Sequence, residues 1–286
     1  MTPDHAPRDL VIQGAALTDA ALDRIAAIAR PARIERIDAT GARLHDARAA
    51  DRDAVAAACA GLSLDFGFVP AGGRLADFGL VAMDMDSTLI TIECIDEIAD
   101  AVGVKPQVAA ITAQAMRGEL DFPESLRRRV GLLAGLPAAA LEAVYEQRLR
   151  LSPGAEAMLA AARAAGLKTL LVSGGFTFFT SRLQARLGLD ATLANTLEII
   201  DGRLTGRVLG DIVDGAAKAA RVASMRAALG LDRERVIVLG DGANDLPMMA
   251  EAGVSVAYHA KPVVRAKASY SFDHVGLDGL LRLFPA

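Results

Sequence analysis

Cysteine is scarce in this sequence, with only Cys59 and Cys94 among 286 residues. This number is too small for a disulfide framework or a cysteine-based zinc site, so we expect neither and place the protein in a reducing cytoplasm. Long apolar runs are also missing, because no stretch approaches the roughly 18 residues that a membrane helix needs. The N-terminal MTPDHAPRDL lacks a basic region followed by an apolar core, so we expect no secretory signal.

The chain also lacks an excess of basic residues. Its formal net charge is −4, whereas proteins that bind the nucleic-acid backbone usually carry a surplus of Lys and Arg. Low-complexity tracts and repeats of roughly 20–50 residues are absent from the sequence. These absences favour a soluble cytoplasmic protein with no nucleic-acid or membrane partner.

The N-terminal part of the sequence alternates between strand and helix patterns in the order βαββαβ. The strand patterns are DLVIQGA, RIERIDATGARLHDA around the Thr40-Gly41 turn, and LDFGFVP, and the helix patterns are LTDAALDRIAAIA and DRDAVAAACAGL. This order predicts a small α+β domain of ferredoxin-like type. It resembles the ACT domains that bind amino acids, but no residue forms a specific ligand motif. A packing module, or a homodimer formed through this domain, is the alternative. The Pro- and Gly-containing residues 70–79 are the expected linker.

From residue 79 the pattern becomes that of buried parallel strands. Four short apolar runs end in polar or glycine-rich turns: GLVAMDM, KTLLVSGG, RVIVLGDGAND and VSVAY. Helical patterns separate them, which predicts a doubly wound α/β (Rossmann-like) core. Residues 93 to about 150 contain only helix patterns and are expected to form an inserted helical cap. LEIIDGRLTGRV, with Asp201-Gly202 at its centre, predicts a hairpin.

Polar residues follow these strands or open the intervening helices. They are Asp84 with Asp86, Ser173 with Gly174 and Gly175, Lys218, and Asp241 with Asn244 and Asp245. Ligands of doubly wound sheets bind beyond the carboxyl ends of the strands, so we expect these groups to share one crevice. Carboxylates suit a hard cation such as Mg²⁺. Lysine, serine and the N–H groups of a glycine-rich turn suit phosphate oxygens.

The spacing of Asp84 and Asp86 predicts a particular chemistry. A carboxylate can attack phosphorus and form an acyl phosphate. A second carboxyl two residues on could protonate the leaving oxygen and later deprotonate the attacking water. The two residues therefore predict phosphoryl transfer through an aspartyl phosphate, with Asp84 and Asp86 in different roles.

The ordered motifs DMDST, SGG, Lys218 and GDGAND resemble those of the haloacid dehalogenase-like phosphohydrolases. The segments TIECIDEIAD, AMRGELDFPESLRRRV and LANTLEIIDGRLTG extend the likeness to the phosphoserine phosphatases of that family. The resemblance covers roughly residues 80–275. It implies Mg²⁺-dependent hydrolysis of O-phospho-L-serine, a small-molecule substrate, in the last step of serine biosynthesis. It also implies an accessory domain (1–75) and a phosphatase domain (76–286), the latter with a core (76–92 and 151–286) and a cap (about 93–150).

The resemblance also implies a role for each matching residue. Asp84 is the expected nucleophile and a metal ligand, and Asp86 is the expected general acid/base, whose backbone carbonyl also binds the metal. Asp241 is the third metal anchor, with Asp245 behind it to position ligands. The substrate-binding residues implied by the family are Glu93 for the ammonium group, Ser173, Gly174 and Lys218 for the phosphoryl group, and Asn244 for substrate or phosphate.

Helical geometry singles out Arg129 from the three consecutive arginines of the cap. At about 100° per residue, Arg129 shares a face with apolar residues such as Leu126 and Val130, whereas Arg127 and Arg128 point away. A buried-face arginine needs an anion, and a carboxylate fits it well. The resemblance also assigns Arg129 to the substrate carboxylate, and Phe122 and Met116 are expected to wall the pocket.

Several alternatives stay open from the sequence. Glu93 could instead interact with a helix dipole, and Arg129 could pair with an internal acid. The chemistry could be phosphotransfer to an alcohol such as homoserine, or hydrolysis of another small phosphomonoester. A regulatory role as an amino-acid sensor belongs to a different class, and the intact set of Asp84, Asp86, Lys218 and Asp241 argues against it.

Overall fold

The computed structural model describes residues 7–286, apart from the side chain of Met116. Two sheets organise the chain, a four-stranded sheet in its N-terminal part and a seven-stranded sheet beyond it. In the part of the chain so described, no helix combines the length and the apolar character needed to cross a membrane.

The N-terminal unit has the predicted order of elements. These are β1 (Arg8–Gln13), α1 (Asp19–Ala29), β2 (Arg33–Asp38), β3 (Gly41–His45), α2 (Arg52–Gly61) and β4 (Asp65–Pro70). The strands pair antiparallel in the order β2-β3-β1-β4, which is the ferredoxin-like arrangement. Thr18 caps α1 by accepting the N–H of Ala21, and the two helices cover one face of the sheet around Leu10, Ile25 and Phe68.

The second unit begins with β5, which lies at the centre of its sheet. Its elements are β5 (Leu80–Met83), α3 (Cys94–Ala101), α4 (Lys105–Met116), α5 (Phe122–Gly131), α6 (Ala139–Ala143), α7 (Ala155–Ala164), β6 (Lys168–Phe176), α8 (Thr177–Leu187), β7 (Ala191–Ile200), β8 (Arg203–Leu209), α9 (Gly215–Ala228), β9 (Val236–Gly240), α10 (Leu246–Met249), β10 (Val254–Tyr258), α11 (Pro262–Arg265), β11 (Tyr270–Phe272) and α12 (Gly279–Leu283). The order is β11-β10-β9-β5-β6-β7-β8, parallel except for the antiparallel β7–β8 pair. The predicted hairpin is confirmed, since Asp201 and Gly202 turn with φ of 48° and 72°.

Both faces of this sheet are covered, as its continuous apolar strands predict. Val81 and Met83 of β5 pack into one core layer, while Leu80 and Ala82 pack into the other. All four side chains are almost inaccessible to water. The core is therefore doubly wound, and the residues that follow its strands open onto one edge.

The segment between β5 and α7 is helical, as expected of a cap. Ile90 and Leu151 form an antiparallel bridge where the chain leaves and re-enters the core. The segment that follows α5 also contacts the hairpin, because Leu204 exchanges backbone hydrogen bonds with Gly135 and Leu136, both at 2.8 Å. The cap thus contacts the core at this bridge, at the hairpin and through the ion pair between Glu142 of α6 and Arg182 of α8.

The N-terminal sheet packs its other face against the C-terminal end of the chain. Val11 of β1 joins the same apolar core as Leu283 of α12. Arg43 donates to the carbonyl oxygens of Arg282 and Leu283 at 2.7 and 3.1 Å. In the predicted linker, Leu75 is fully buried. The two units therefore share apolar and hydrogen-bonded contacts.

Candidate active site

Three of the predicted residues meet directly beyond the end of β5. Lys218, in the first turn of α9, donates to Oδ1 of Asp84 at 2.5 Å and to Oδ1 of Asp245 at 2.8 Å. All three side chains are buried. Asp214 caps α9 by accepting the N–H of Ala217 at 2.9 Å, so the helix begins one turn before Lys218 and aims it at the sheet edge.

Burial disfavours charge on these groups, and their pairing compensates only in part. The pKa of Asp84 is raised well above its ordinary value, by burial first and then by the nearby carboxylate of Asp245, against the opposing effect of Lys218. Burial alone would lower the pKa of Lys218, but the two carboxylates raise it above its usual value, so the ammonium stays charged. One cation faces two carboxylates, and a further positive charge would relieve their repulsion.

A cluster of carboxylate oxygens suited to a cation lies beside this lysine. One oxygen each from Asp84, Asp241 and Asp245 lies within 4.8 Å of the others. Both oxygens of Asp245 already accept protein donors, one from Lys218 and the other from the N–H groups of Asp241 and Gly242 at 3.1 and 3.0 Å. Burial, and then the charge of Asp245, raise the pKa of Asp241 to about 6. Hard oxygen donors with excess negative charge fit a divalent cation, with Asp84 and Asp241 better placed to bind it directly.

The carboxylate of Asp86 is held by different groups. Its Oδ1 accepts the N–H of Cys94 at 2.8 Å, and its Oδ2 accepts the hydroxyl of Ser173 at 3.2 Å. Burial raises the pKa of Asp86, against the opposing effect of the Cys94 N–H. Burial raises the pKa of both aspartates, so their hydrogen-bond partners distinguish them: Asp84 is bonded to the Lys218 ammonium, whereas Asp86 is held by a backbone N–H and a hydroxyl. The two aspartates therefore occupy different electrostatic settings.

The glycine loop, residues 173–175 at the end of β6, requires glycine for reasons of space. The Ser173 hydroxyl is fully buried and accepts the N–H of Gly175 at 2.8 Å. A Cβ on Gly175 would lie 2.7 Å from Oδ2 of Asp86, and one on Gly174 would lie 2.9 Å from the ring of Phe122. Side chains at either position would separate the loop from Asp86 and from the cap.

The cap lies over a cavity of about 580 Å³ above these groups, and Arg129 lines it from α5. Arg129 is half-buried, with its Nε 3.4 Å from the carbonyl oxygen of Ser125. Burial lowers the pKa of Arg129, against the opposing effect of nearby carboxylates, chiefly Asp96. Arg127 and Arg128 are exposed, which confirms the helical face predicted for the three arginines.

Glu93 lines the same cavity from the residue before α3. It accepts the hydroxyl of Ser87 at 2.7 Å. The residue as a whole is exposed, but its carboxyl group stands among protein atoms at the cavity wall. This desolvation, and then the charge of Asp86, raise the pKa of Glu93 to about 7. Glu93 and Arg129 thus present opposite charges to one cavity, which is complementary to a zwitterionic amino acid.

Two other predicted residues lie at the edge of this cavity. Asn244 is exposed in the turn Ala243–Asp245, and Phe122 lies next to the glycine loop. The side chain of Met116, also expected in the pocket wall, lies outside the described part of the structure. The other residues proposed for the site from the sequence line this cavity, except Ser173 and Asp245, which are fully buried behind it and hydrogen-bond to Asp86 and Lys218.

The structure adds two residues to which the sequence analysis gave no role. The hydroxyl of Thr88 donates to Oδ1 of Asp241 at 3.1 Å, and Ser87 holds Glu93. Ser87 has a φ of 56°, a conformation that non-glycine residues rarely adopt. The feature of the sequence that could have identified Ser87 and Thr88 is their position directly after Asp86, where the chain must turn away from the sheet.

Comparisons with known proteins identify the family of the chain. Residues 81–250 match the family model of the haloacid dehalogenase-like hydrolases. Residues 10–55 match a model described as a domain of unknown function, DUF4072. A phosphoserine phosphatase of Polaromonas sp. is 57% identical over 215 residues, which are 73% of this chain and 91% of the relative.

Solved structures share the fold as well. A haloacid dehalogenase family hydrolase of Salmonella enterica serovar Typhi has a TM-score of 0.90 at 35% identity and covers 98% of this chain and 99% of its own. A phospho-aspartyl intermediate analogue of a phosphoserine phosphatase has a TM-score of 0.68 at 37% identity, covering 72% of this chain and 99% of its own. The chain therefore belongs to the haloacid dehalogenase-like hydrolase family, among relatives named phosphoserine phosphatase.

Proposed function

We propose that this protein is a Mg²⁺-dependent phosphomonoesterase that hydrolyses O-phospho-L-serine to L-serine and phosphate through an aspartyl phosphate. The observation that carries the proposal is the pairing of two half-sites in one cavity. Asp84, Asp241 and Lys218 lie at the sheet edge, and Arg129 and Glu93 face them from the cap side. The first half-site suits a phosphoryl group and a cation, and the second suits an amino acid.

In the nucleophilic step, the two aspartates have different roles. An oxygen of Asp84 attacks phosphorus, and the bond between phosphorus and the serine oxygen breaks as the new bond forms. Asp86 gives its proton to the departing serine oxygen, which its raised pKa favours. Lys218 and the Ser173 hydroxyl hold the phosphoryl oxygens, with the Gly174 backbone beside them.

The hydrolytic step reverses these proton movements. Asp86, now a carboxylate, takes a proton from a water molecule whose oxygen attacks phosphorus. The bond to Asp84 breaks, and phosphate leaves. Bound at Asp84, Asp241 and the Asp86 carbonyl, Mg²⁺ would neutralise charge on the phosphoryl oxygens. Asp245 keeps Asp241 and Lys218 in place through the hydrogen bonds described above.

Substrate selection belongs to the cap in this proposal. Arg129 binds the substrate carboxylate, Glu93 binds its ammonium group, and Asn244 contacts the substrate at the edge of the cavity. We also propose that residues 1–75 form the accessory domain and residues 76–286 the phosphatase domain, with the cap at about 93–150. A homodimer through the N-terminal domain stays a prediction.

A panel of phosphomonoesters tests the proposal on the purified full-length chain. O-phospho-L-serine should give the highest kcat/KM among phosphoserine, phosphothreonine, phosphoethanolamine, glycerol phosphate and an aryl phosphate. Chelation should remove the activity, and Mg²⁺ should restore it. Equal rates across the panel, or activity that survives chelation, would contradict the assignment.

Product stoichiometry separates hydrolysis from phosphotransfer. Serine and phosphate should appear in a 1:1 ratio whether or not homoserine is added. An excess of serine over phosphate in the presence of homoserine would identify a phosphotransferase instead.

A further inference from the structure

The glycine loop exists because β6 leaves its ladder with β7. The pairing runs in register from Leu170 opposite Ala191 to Val172 opposite Leu193, and resumes only with Phe176 opposite Asn195. Three residues of β6 therefore face a single residue of β7. Such a bulge takes backbone groups out of the ladder and re-aims the bulged segment, here into the active-site cavity.

The side chain of Asn195 hydrogen-bonds to one backbone group in this bulge and to one in the segment before α9. Its Nδ2 donates to the carbonyl oxygen of Gly174 at 2.8 Å, and its Oδ1 accepts the N–H of Val213 at 2.8 Å. The side chain is 1% exposed, so water does not compete for either bond. Both ends of one amide are therefore committed to two separate segments of main chain.

The second of these segments leads directly into the helix that carries Lys218. Val213 precedes Asp214, the cap of α9, and the carbonyl oxygen of Asp214 accepts the N–H of Lys218 at 2.9 Å. The bond from Asn195 to Val213 thus fixes the start of α9. The bond to Gly174 fixes the loop on the other side of the phosphoryl site.

We propose that Asn195 is a positioning residue that sets the distance between the glycine loop and Lys218, and so shapes the phosphoryl-binding site. This inference rests on the proposed phosphatase function. Asn195 does not line the cavity and acts only through Gly174 and Val213. Its loss should weaken every contact with the phosphoryl group while leaving the amino-acid contacts of Arg129 and Glu93 in place.

Two substitutions and a matched control test the proposal in the full-length protein. Asn195→Ala removes both hydrogen bonds, and Asn195→Asp keeps the acceptor for Val213 but faces Gly174 with a second acceptor. Leu197→Ala, two residues further along β7, removes a buried side chain of the apolar core and serves as the control for lost stability. The measurements are kcat and KM for phosphoserine and phosphoethanolamine, the inhibition constant of inorganic phosphate, and the thermal midpoint.

Both Asn195 variants should lose about ten- to a hundredfold in kcat/KM, as expected when reacting groups shift by a fraction of an ångström to one ångström. The loss should be equal for the two substrates, because they share the phosphoryl group, and phosphate should inhibit more weakly. Leu197→Ala should lower the thermal midpoint but retain kcat and phosphate inhibition.

Other results would contradict either the positioning role of Asn195 or the proposed phosphatase function. Wild-type inhibition by phosphate in Asn195→Ala, or the same kinetic losses in Leu197→Ala, would overturn the positioning role. Failure of both Asn195 variants to fold would assign the residue to stability alone and would also overturn it. Absence of phosphatase activity in the wild-type protein would instead refute the proposed function.

Discussion

Replacing Arg129 by alanine tests how the cap recognises its substrate. Arg129 is half-buried, and its described hydrogen bond is a long one, 3.4 Å from Nε to the carbonyl oxygen of Ser125. The rest of the guanidinium is left to bind an anion in the cavity. Removing it leaves a substrate carboxylate desolvated and without its partner.

The expected loss in kcat/KM follows from the burial of the site. Truncating one partner of a buried charge pair costs about 2–5 kcal/mol. Arg129 is only half-buried, so we take the lower end of that range. Since each 1.4 kcal/mol is tenfold, kcat/KM for phosphoserine should fall by roughly 30-fold. Phosphoethanolamine, which has no carboxylate, should lose far less.

The assay compares initial rates of phosphate release from both substrates at saturating Mg²⁺. Arg127→Ala is the matched control, because Arg127 lies two residues away on the same helix and is exposed. It should spare both substrates. An equal loss on the two substrates in Arg129→Ala would mean that Arg129 holds the cap together or binds phosphate, and the proposed amino-acid specificity would lose its main support.

Three further predictions concern chemistry, pH and stability. Asp84→Asn should abolish turnover and the formation of an acid-stable phosphoenzyme, because an amide cannot attack phosphorus; turnover near that of wild type would exclude Asp84 as the nucleophile. With the pKa of Glu93 raised to about 7, its carboxyl becomes neutral as pH falls through that value, so kcat/KM for phosphoserine should decline toward acid pH. Glu93→Gln should lose this part of the pH profile while keeping the part due to substrate ionisation, and an unchanged profile would contradict the assignment. Asp65 is buried and accepts the N–H groups of Asp273, His274 and Val275. Asp65→Ala should therefore lower the free energy of unfolding by about 2–4 kcal/mol in denaturant titrations, with kcat retained, and an unaltered midpoint would show that these bonds add nothing to stability.

The amino-acid sequence determined the elements and the positions at which chemistry could occur. Continuous apolar runs identified β5, β6, β9 and β10, because a strand buried on both faces has no polar side. The residues after those strands had to share one edge of the sheet. Helical periodicity selected Arg129 from its neighbours, since the position of a residue on a helix depends on local spacing alone.

Only the tertiary structure decided which of these groups touch. Lys218 bonds to Asp84 across 134 residues of chain, and Thr88 bonds to Asp241 across 153. Local patterns carry no information about such contacts, because they depend on how far each loop projects and on where each helix begins. The proposed role of Asn195 depends on a bulge in which three residues of β6 face one residue of β7, which the sequence of neither strand reveals alone. The sequence also predicted a separate N-terminal unit. In the structure, Val11 of this unit is buried in the same apolar core as Leu283, which joins the unit to the rest of the protein.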